Sequence, residues 1–280
     1  MATAISGISS LSVTGIRALA TADIALTTSD ISSLTSVQIA AMSTSQIAAF
    51  NTTAISSLST AAISSFSVNQ VFALITAQIA ALTTDEISAL KSTQVAAMGT
   101  NQITALTTDQ IVALSTSQVA KMTTAQVAAL ETADLATMTS VQLAAISTDA
   151  VSELTTAQVA ALGTAQVRGL TTAQLNVLTS SQLAAFKATN LAALTTQQIT
   201  NLASDSVALL TTAQVASLTT DQIAAFATSS IAALQTVDVS SLTTAQIVSL
   251  TTAQVAAFTT AQIAALTTAS IYALQTADSA

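Results

Sequence analysis

The sequence predicts an all-α solenoid of very short helices, one to each eight-residue repeat. Three observations predict it: an apolar pair with a period of eight, acidic side chains confined to one part of the repeat, and a hydroxyl residue just ahead of them. The repeat is plainest at residues 242–266, LTTAQIVSLTTAQVAAFTTAQIAAL, where Leu242, Leu250, Phe258 and Leu266 stand eight apart with Ile247, Val255 and Ile263 between them. With Leu26 counted as position 1, the chain visits 32 such positions up to Leu274 without an insertion or deletion, and all are apolar. Most are Leu; the variants are Met42, Met98, Met122, Met138, Ile146, Phe50, Phe66, Phe186, Phe226 and Phe258. Position 6 is Ile, Val or Leu in all 31 cases from Ile31 to Ile271. Position 3 is Thr or Ser in 30 of 32, Val68 and Ala188 excepted, and position 5 is Gln in 20 of 32.

A period of eight suits no uninterrupted element. A continuous helix at about 100° per residue drifts by roughly 80° per octad, so its apolar stripe would circle the helix and meet no straight partner. In a continuous strand, positions 1 and 6 have opposite parity and face opposite sides. Each octad must therefore contain one short element and one corner. The charges choose the element. Ten of the twelve acids from Leu26 onward occupy positions 4 or 5: Asp30, Asp85, Glu86, Asp109, Asp134, Asp149, Asp205, Asp221, Asp238 and Asp278. Of the bases, Lys121 falls at position 8, Arg168 at 7, and Lys91 and Lys187 at 2. Acids early and bases late is the order a helix macrodipole favours. Thr or Ser at position 3 then reads as the N-cap, positions 4 to 8 as helix, and the next position 1 as its close. Gly99 and Gly163, both at position 2, read as glycines following a helix C-terminus; where Thr holds position 2, the corner is expected to be extended.

A helix of five or six residues is not stable alone. The octads must stack, with Leu and Ile inside. The 16-residue phase shared by Phe50, Phe66, Phe226 and Phe258 favours two octads per turn over three. The rival architecture is a β-solenoid or cross-β fibre, which Thr, Val, Ile and Gln ladders also suit. Residues 1–25 carry a looser pattern: Ile8, Leu11, Ile16 and Leu19 continue it, but the unit from Leu19 to Ala25 has seven residues. The expected organisation is a degenerate N-terminal cap over 1–25 and a continuous octapeptide solenoid over 26–280, terminal caps being usual in repeat arrays.

Composition narrows the function. Mean hydropathy is +0.68, but Thr, Ser or Gln interrupts every few positions, and no apolar run approaches the roughly 18 residues a membrane-spanning helix needs. The net charge of −8 argues against nucleic acid, whose binders need a basic stripe. The start, MATAISGISSLSVTGIRALA, shows no charged region ahead of an unbroken apolar core, so a Sec-type signal is not apparent.

There is no His and no Cys, so the usual bases and nucleophiles are missing, and no catalytic, cofactor-binding or metal-binding residue is expected. Asp85 with Glu86 is the one adjacent acidic pair, read as two acids in a helix's first turn. Asp149 and Glu153, four apart, could share a cation, but hard cations draw six or more oxygens. Thr-Thr pairs such as Thr243-Thr244 could form a ridge of the kind ice-binding proteins display. The Gln ladder reads as solvated first-turn side chains, with hydrogen bonding from rung to rung as the alternative.

The octad LTTAQVAAL at 154–162 resembles the opening helix of a transcription-activator-like effector repeat, Leu-Thr-Pro-x-Gln-Val-Val-Ala-Ile, but lacks its proline and its base-reading loop. Over nearly its whole length, by composition and period, the chain resembles the low-complexity octapeptide stretches of bacterial surface and adhesin-like proteins. The function expected is a structural, self-assembling repeat protein, not an enzyme, forming an extracellular filament, stalk or sheath with copies of itself, joined head to tail or laterally. The alternatives are a monomeric adhesin or ligand-binding spacer and, after it, an ice-binding protein.

Overall fold

The computed structural model describes residues 7–24 and 28–277. Leu26, the boundary between 25 and 26, and Asp278 lie outside the described residues. Among these residues every regular element is a helix and none is a strand, which overturns the β-solenoid and cross-β alternative. From Thr28–Ser32 to Thr260–Ala265 each octad contributes one α-helix, as short as four residues at Thr52–Ile55 and as long as six at Ser36–Ala41. The last helix, Thr268–Ala277, runs to ten. The chain forms two compact units, Met1–Met138 and Thr139–Ala280, both built the same way.

Position 6 is the innermost side chain: Ile39, Ile79 and Ile111 in the first unit and Val159, Ile199 and Ile231 in the second are fully buried. Position 1, as in Leu82, Leu114, Leu202 and Phe226, lines the same core at the corner. Burying such side chains contributes on the order of 1.5–3 kcal/mol each, and the corner residue also closes the helix. The N–H of Leu82 donates to the Ile79 carbonyl at 3.2 Å, and that of Leu114 to Ile111 at 3.2 Å. The chain then leaves in extended conformation, φ −61° and ψ 142° at Leu82, which swings it towards the next helix.

The coil is larger than the Phe phase suggested. Each helix packs on the helices three octads away: Thr60–Ser64 on Thr84–Ala89, that on Thr108–Ala113, and Thr196–Thr200 on Thr220–Ala225. Side-chain hydrogen bonds between coils span 25 residues from Ser88 Oγ to the Ala113 carbonyl. They span 28 and 31 from Gln110 Nε2 to the Leu82 and Ile79 carbonyls. One turn therefore takes three octads and part of a fourth, more than the two that the Phe phase favoured. The Phe pattern misled because Leu, Met and Phe are interchangeable in volume at a corner facing the core.

The cap also sits one residue earlier than expected. Position 3 is the first helical residue and position 2 the N-cap, as with Thr107 ahead of Thr108–Ala113. Gly99 and Gly163 are accordingly N-caps with φ −73° and −83°, not left-handed glycines. Among the described residues only Gly7 has positive φ, at 90°. Lys91 and Lys187 fall at N-caps as well, on the side of the following helix that its dipole disfavours. Acids do lie in first turns, from Asp30 to Asp238, and Arg17 and Arg168 in last turns.

In the looser N-terminal stretch, Val13–Ala18 forms a six-residue α-helix, and Ile8–Ser10 and Thr21–Asp23 form three-residue turns of 3-10 helix. Ile8, Ile16 and Ile24 are buried as position-6 residues are elsewhere.

Candidate functional site

The buried polar residue that recurs most often in the repeat is the position-5 glutamine. It is the third residue of its helix, and its side chain performs three tasks at once. In the helix Thr108–Ala113, the Thr107 hydroxyl accepts from the Gln110 N–H at 3.3 Å, and Gln110 Oε1 accepts from the Thr107 N–H at 2.8 Å. That reciprocal pair is a capping box. The amide nitrogen, Nε2, then reaches back to the preceding coil, donating to Leu82 at 2.6 Å and Ile79 at 2.9 Å. Gln222 repeats this in the second unit: 3.2 and 2.9 Å within its box, then 2.7 Å to Leu194 and 3.0 Å to Leu191. The two residues of the box each satisfy one N–H of the other at the helix start, and the glutamine amide also serves the carbonyls ending an earlier helix. The glutamines are buried; Gln78 has no exposed surface at all. The expectation of solvated side chains is corrected: the glutamine amides donate to carbonyls of the preceding coil rather than to water.

Where the cap residue lacks a hydroxyl, as at Ile75, Gly99 and Gly163, the glutamine half of the box remains, at 2.9, 2.8 and 2.7 Å. The ladder's first members anchor on the N-terminal turns. Gln38 Nε2 donates to the Ser9 and Leu11 carbonyls, both at 3.0 Å, and Gln46 Nε2 to Ile16 at 2.9 Å and Leu19 at 2.8 Å. Position 5 in the first four units is Gly7, Gly15, Asp23 and Asp30, so the ladder begins one coil into the chain.

The exceptions at position 5 are informative. Asn190 reaches one carbonyl, that of Leu162, at 2.8 Å. Asp238 accepts instead, from the Thr212 hydroxyl at 2.9 Å and the Gln235 N–H at 3.3 Å. Asp134 is buried, and desolvation first, then the nearby Glu131 carboxylate, push its carboxyl above the usual carboxylate range. Glu86 is also raised, by desolvation chiefly and by neighbouring Asp85 to a lesser degree, against the lowering effect of hydrogen bonds from Thr83.

Of the acid pairs weighed as sites, Asp85 is exposed while Glu86 turns inward into the capping box. Asp149 and Glu153 are both exposed at opposite ends of Thr148–Ser152. Among the described residues no group of three or more acidic, His or Cys side chains could hold a metal ion. The Thr-Thr pairs divide their roles: Thr243 Oγ1 accepts from the Gln246 N–H at 3.2 Å, while Thr244 opens the helix. One surface cleft in the first unit, of about 440 Å³, is lined by Phe72, Ile75, Gly99, Asn101 and their neighbours. Phe72 is 64% exposed there, and a methyl group at Gly99 would lie 3.6 Å from its ring. Sequence reasoning gave this cleft no weight, since Phe72 and Ile75 stand at repeat positions 7 and 2, outside the apolar pair.

No helix among the described residues is long and apolar enough to cross a membrane. One helix per octad, coils joined by apolar contacts and a buried amide ladder: these features define an α-solenoid repeat protein. The ALTTAQ repeat is found at residues 24–60, 72–100, 80–116, 127–164, 160–188 and 231–268. These matches take in more than half of the chain, which belongs to the ALTTAQ repeat family. No curated protein matches it in sequence.

Proposed function

We propose that the chain is a structural, self-associating repeat protein that forms an extracellular filament, stalk or sheath and performs no catalysis. The observation that carries this reading is the amide ladder. Its hydrogen bonds run from coil to coil within each unit and resist separation of the coils. The surface left outside is rich in Ala and Thr, with large apolar side chains such as Val37, Val141 and Val237 more than half exposed. Such side chains suit lateral contact between copies. The composition and period shared with repeat stretches of bacterial surface proteins support the extracellular placement.

Negative-stain images and light scattering over a concentration series test the proposal. Filaments, bundles or sheets that thicken sideways are expected; monodisperse single chains at high concentration would sink it. The cleft beside Phe72 favours one second reading, a monomeric ligand-binding or adhesive spacer. It predicts a stable monomer that binds cells or glycans and loses that binding in Phe72→Ala.

A further inference from the structure

Glu86 is the one glutamate at position 5, and it differs from its glutamine neighbours by a single group, an oxygen in place of the amide NH2. One carboxyl oxygen, Oε2, takes the capping-box role, accepting from the Thr83 N–H at 2.6 Å and the Thr83 hydroxyl at 3.0 Å. The other, Oε1, is buried without a hydrogen-bond partner, and the residue is 2% exposed. The register on either side says what stands opposite. Gln78, one octad earlier, donates to the carbonyls of Ile47 and Phe50 at 3.1 and 2.7 Å. Gln94, one octad later, donates to those of Ile63 and Phe66 at 3.4 and 2.6 Å. The same offsets of 31 and 28 residues carry Glu86 to the carbonyls of Ile55 and Leu58. An ionised carboxylate would turn an acceptor towards acceptors in a desolvated site, whereas an un-ionised acid carries the missing donor.

We propose that Glu86 is a pH-operated latch between coils: un-ionised, Oε1 donates its proton to a carbonyl of the preceding coil as a glutamine amide would; ionised, it loosens that one rung. The charged surroundings oppose ionisation and supply no cation. Thr84–Ala89 packs on Thr60–Ser64, which has no ionisable side chain, and on Thr108–Ala113, whose one charge is the exposed Asp109. The preceding-coil helix Thr52–Ile55 also has none. On its own helix the neighbour is Asp85, and the nearest base along the chain, Lys91, is exposed and caps the next helix.

The upward displacement of the Glu86 carboxyl by burial fixes the sign. Its contribution is complete below the ordinary carboxylate range and is lost as pH rises through the raised folded value. Asp134 titrates in the same direction, so the test compares the whole chain with Glu86→Gln, which installs the residue most repeats carry. Amide hydrogen exchange over residues 52–64 and 84–96, corrected for intrinsic rates, is followed from about pH 4 to 8. Between the ordinary carboxylate value and the raised folded value, each pH unit should lower wild-type protection about tenfold relative to Glu86→Gln, and above the folded value the ratio should level off. Difference infrared spectra of the two proteins should show one un-ionised carboxylic acid in the wild type that disappears over the same pH range. A wild-type-to-variant ratio constant across pH, or a carboxylate at Glu86 already ionised at the acid end, would overturn the proposal. Glu86→Ala is the control for packing: it should be weaker than Glu86→Gln at every pH, with a constant ratio between them.

Discussion

At the residue scale, the fold is governed by how completely one side chain satisfies backbone groups it did not create. Gln110→Ala would leave the part-buried Thr107 N–H and the buried Leu82 carbonyl without its amide, while the Ile79 carbonyl would keep the Leu82 N–H. Each buried group so orphaned costs about 1–3 kcal/mol, and urea unfolding followed by circular dichroism should show a loss of that order. Asp134 offers the opposite experiment. Asn190 shows that an asparagine at position 5 reaches the carbonyl 28 residues back, at 2.8 Å. Asp134→Asn should therefore gain a donor towards Leu106 and lose a desolvated charge, stabilising the protein at neutral pH by about 1 kcal/mol. The gain should shrink on acidification, because protonation of Asp134 removes the same penalty in the wild type. Gly169 marks a close approach: a Cβ there would lie 2.4 Å from Ser140 Cβ and 2.9 Å from the Ser140 carbonyl oxygen. Gly169→Ala should cost about 1–3 kcal/mol through overpacking, read as a lower thermal midpoint.

At the element scale, the position of the cap decides which threonine matters. Thr107→Ala removes a hydroxyl that accepts from the helix and should cost about 1 kcal/mol, whereas Thr108→Ala, at the first helical position, should cost only a few tenths. Paired melts of the two variants check this; equal losses would place the cap between them. The period and core positions were legible from the unbroken apolar residues at positions 1 and 6, and the helix from the acids gathered at positions 4 and 5, while the Thr, Val, Ile and Gln ladders kept a β-solenoid open. The cap was misplaced by one because Thr commonly fills both candidate positions, as at Thr243 and Thr244. The resolving signal was present in Thr243-Thr-Ala-Gln246, a hydroxyl followed three residues later by Gln, which is the capping-box spacing. That spacing assigns the hydroxyl to position 2 and turns the glutamine inward. The coil length was not legible, because it depends on the angle each extended corner such as Leu82 imposes, and Leu, Met and Phe impose it alike. Phe72 and Ile75 were overlooked for a different reason: their exposure is a departure from the repeat, and periodicity reports only what conforms.

At the scale of the whole molecule, the repeat yields two units that each hold together by short-range addition, coil upon coil, so stability is expected to rise with the number of coils joined. The ladder also has a direction. Gln46 leans on Ile16 and Leu19, Gln78 on Ile47 and Phe50, Gln110 on Ile79 and Leu82, always backwards along the chain. A ribosome emits the protein in that order, so each emerging coil meets acceptors that are already in place, at a loop length of about 28 residues whose closure is entropically cheap. The prediction is vectorial folding: stalled nascent chains should gain protease resistance in steps of one coil as they lengthen within a unit. A single late transition at full length would contradict it. The grammar of the octad is then also a grammar of time, in which each coil already made is the template for the coil still to come.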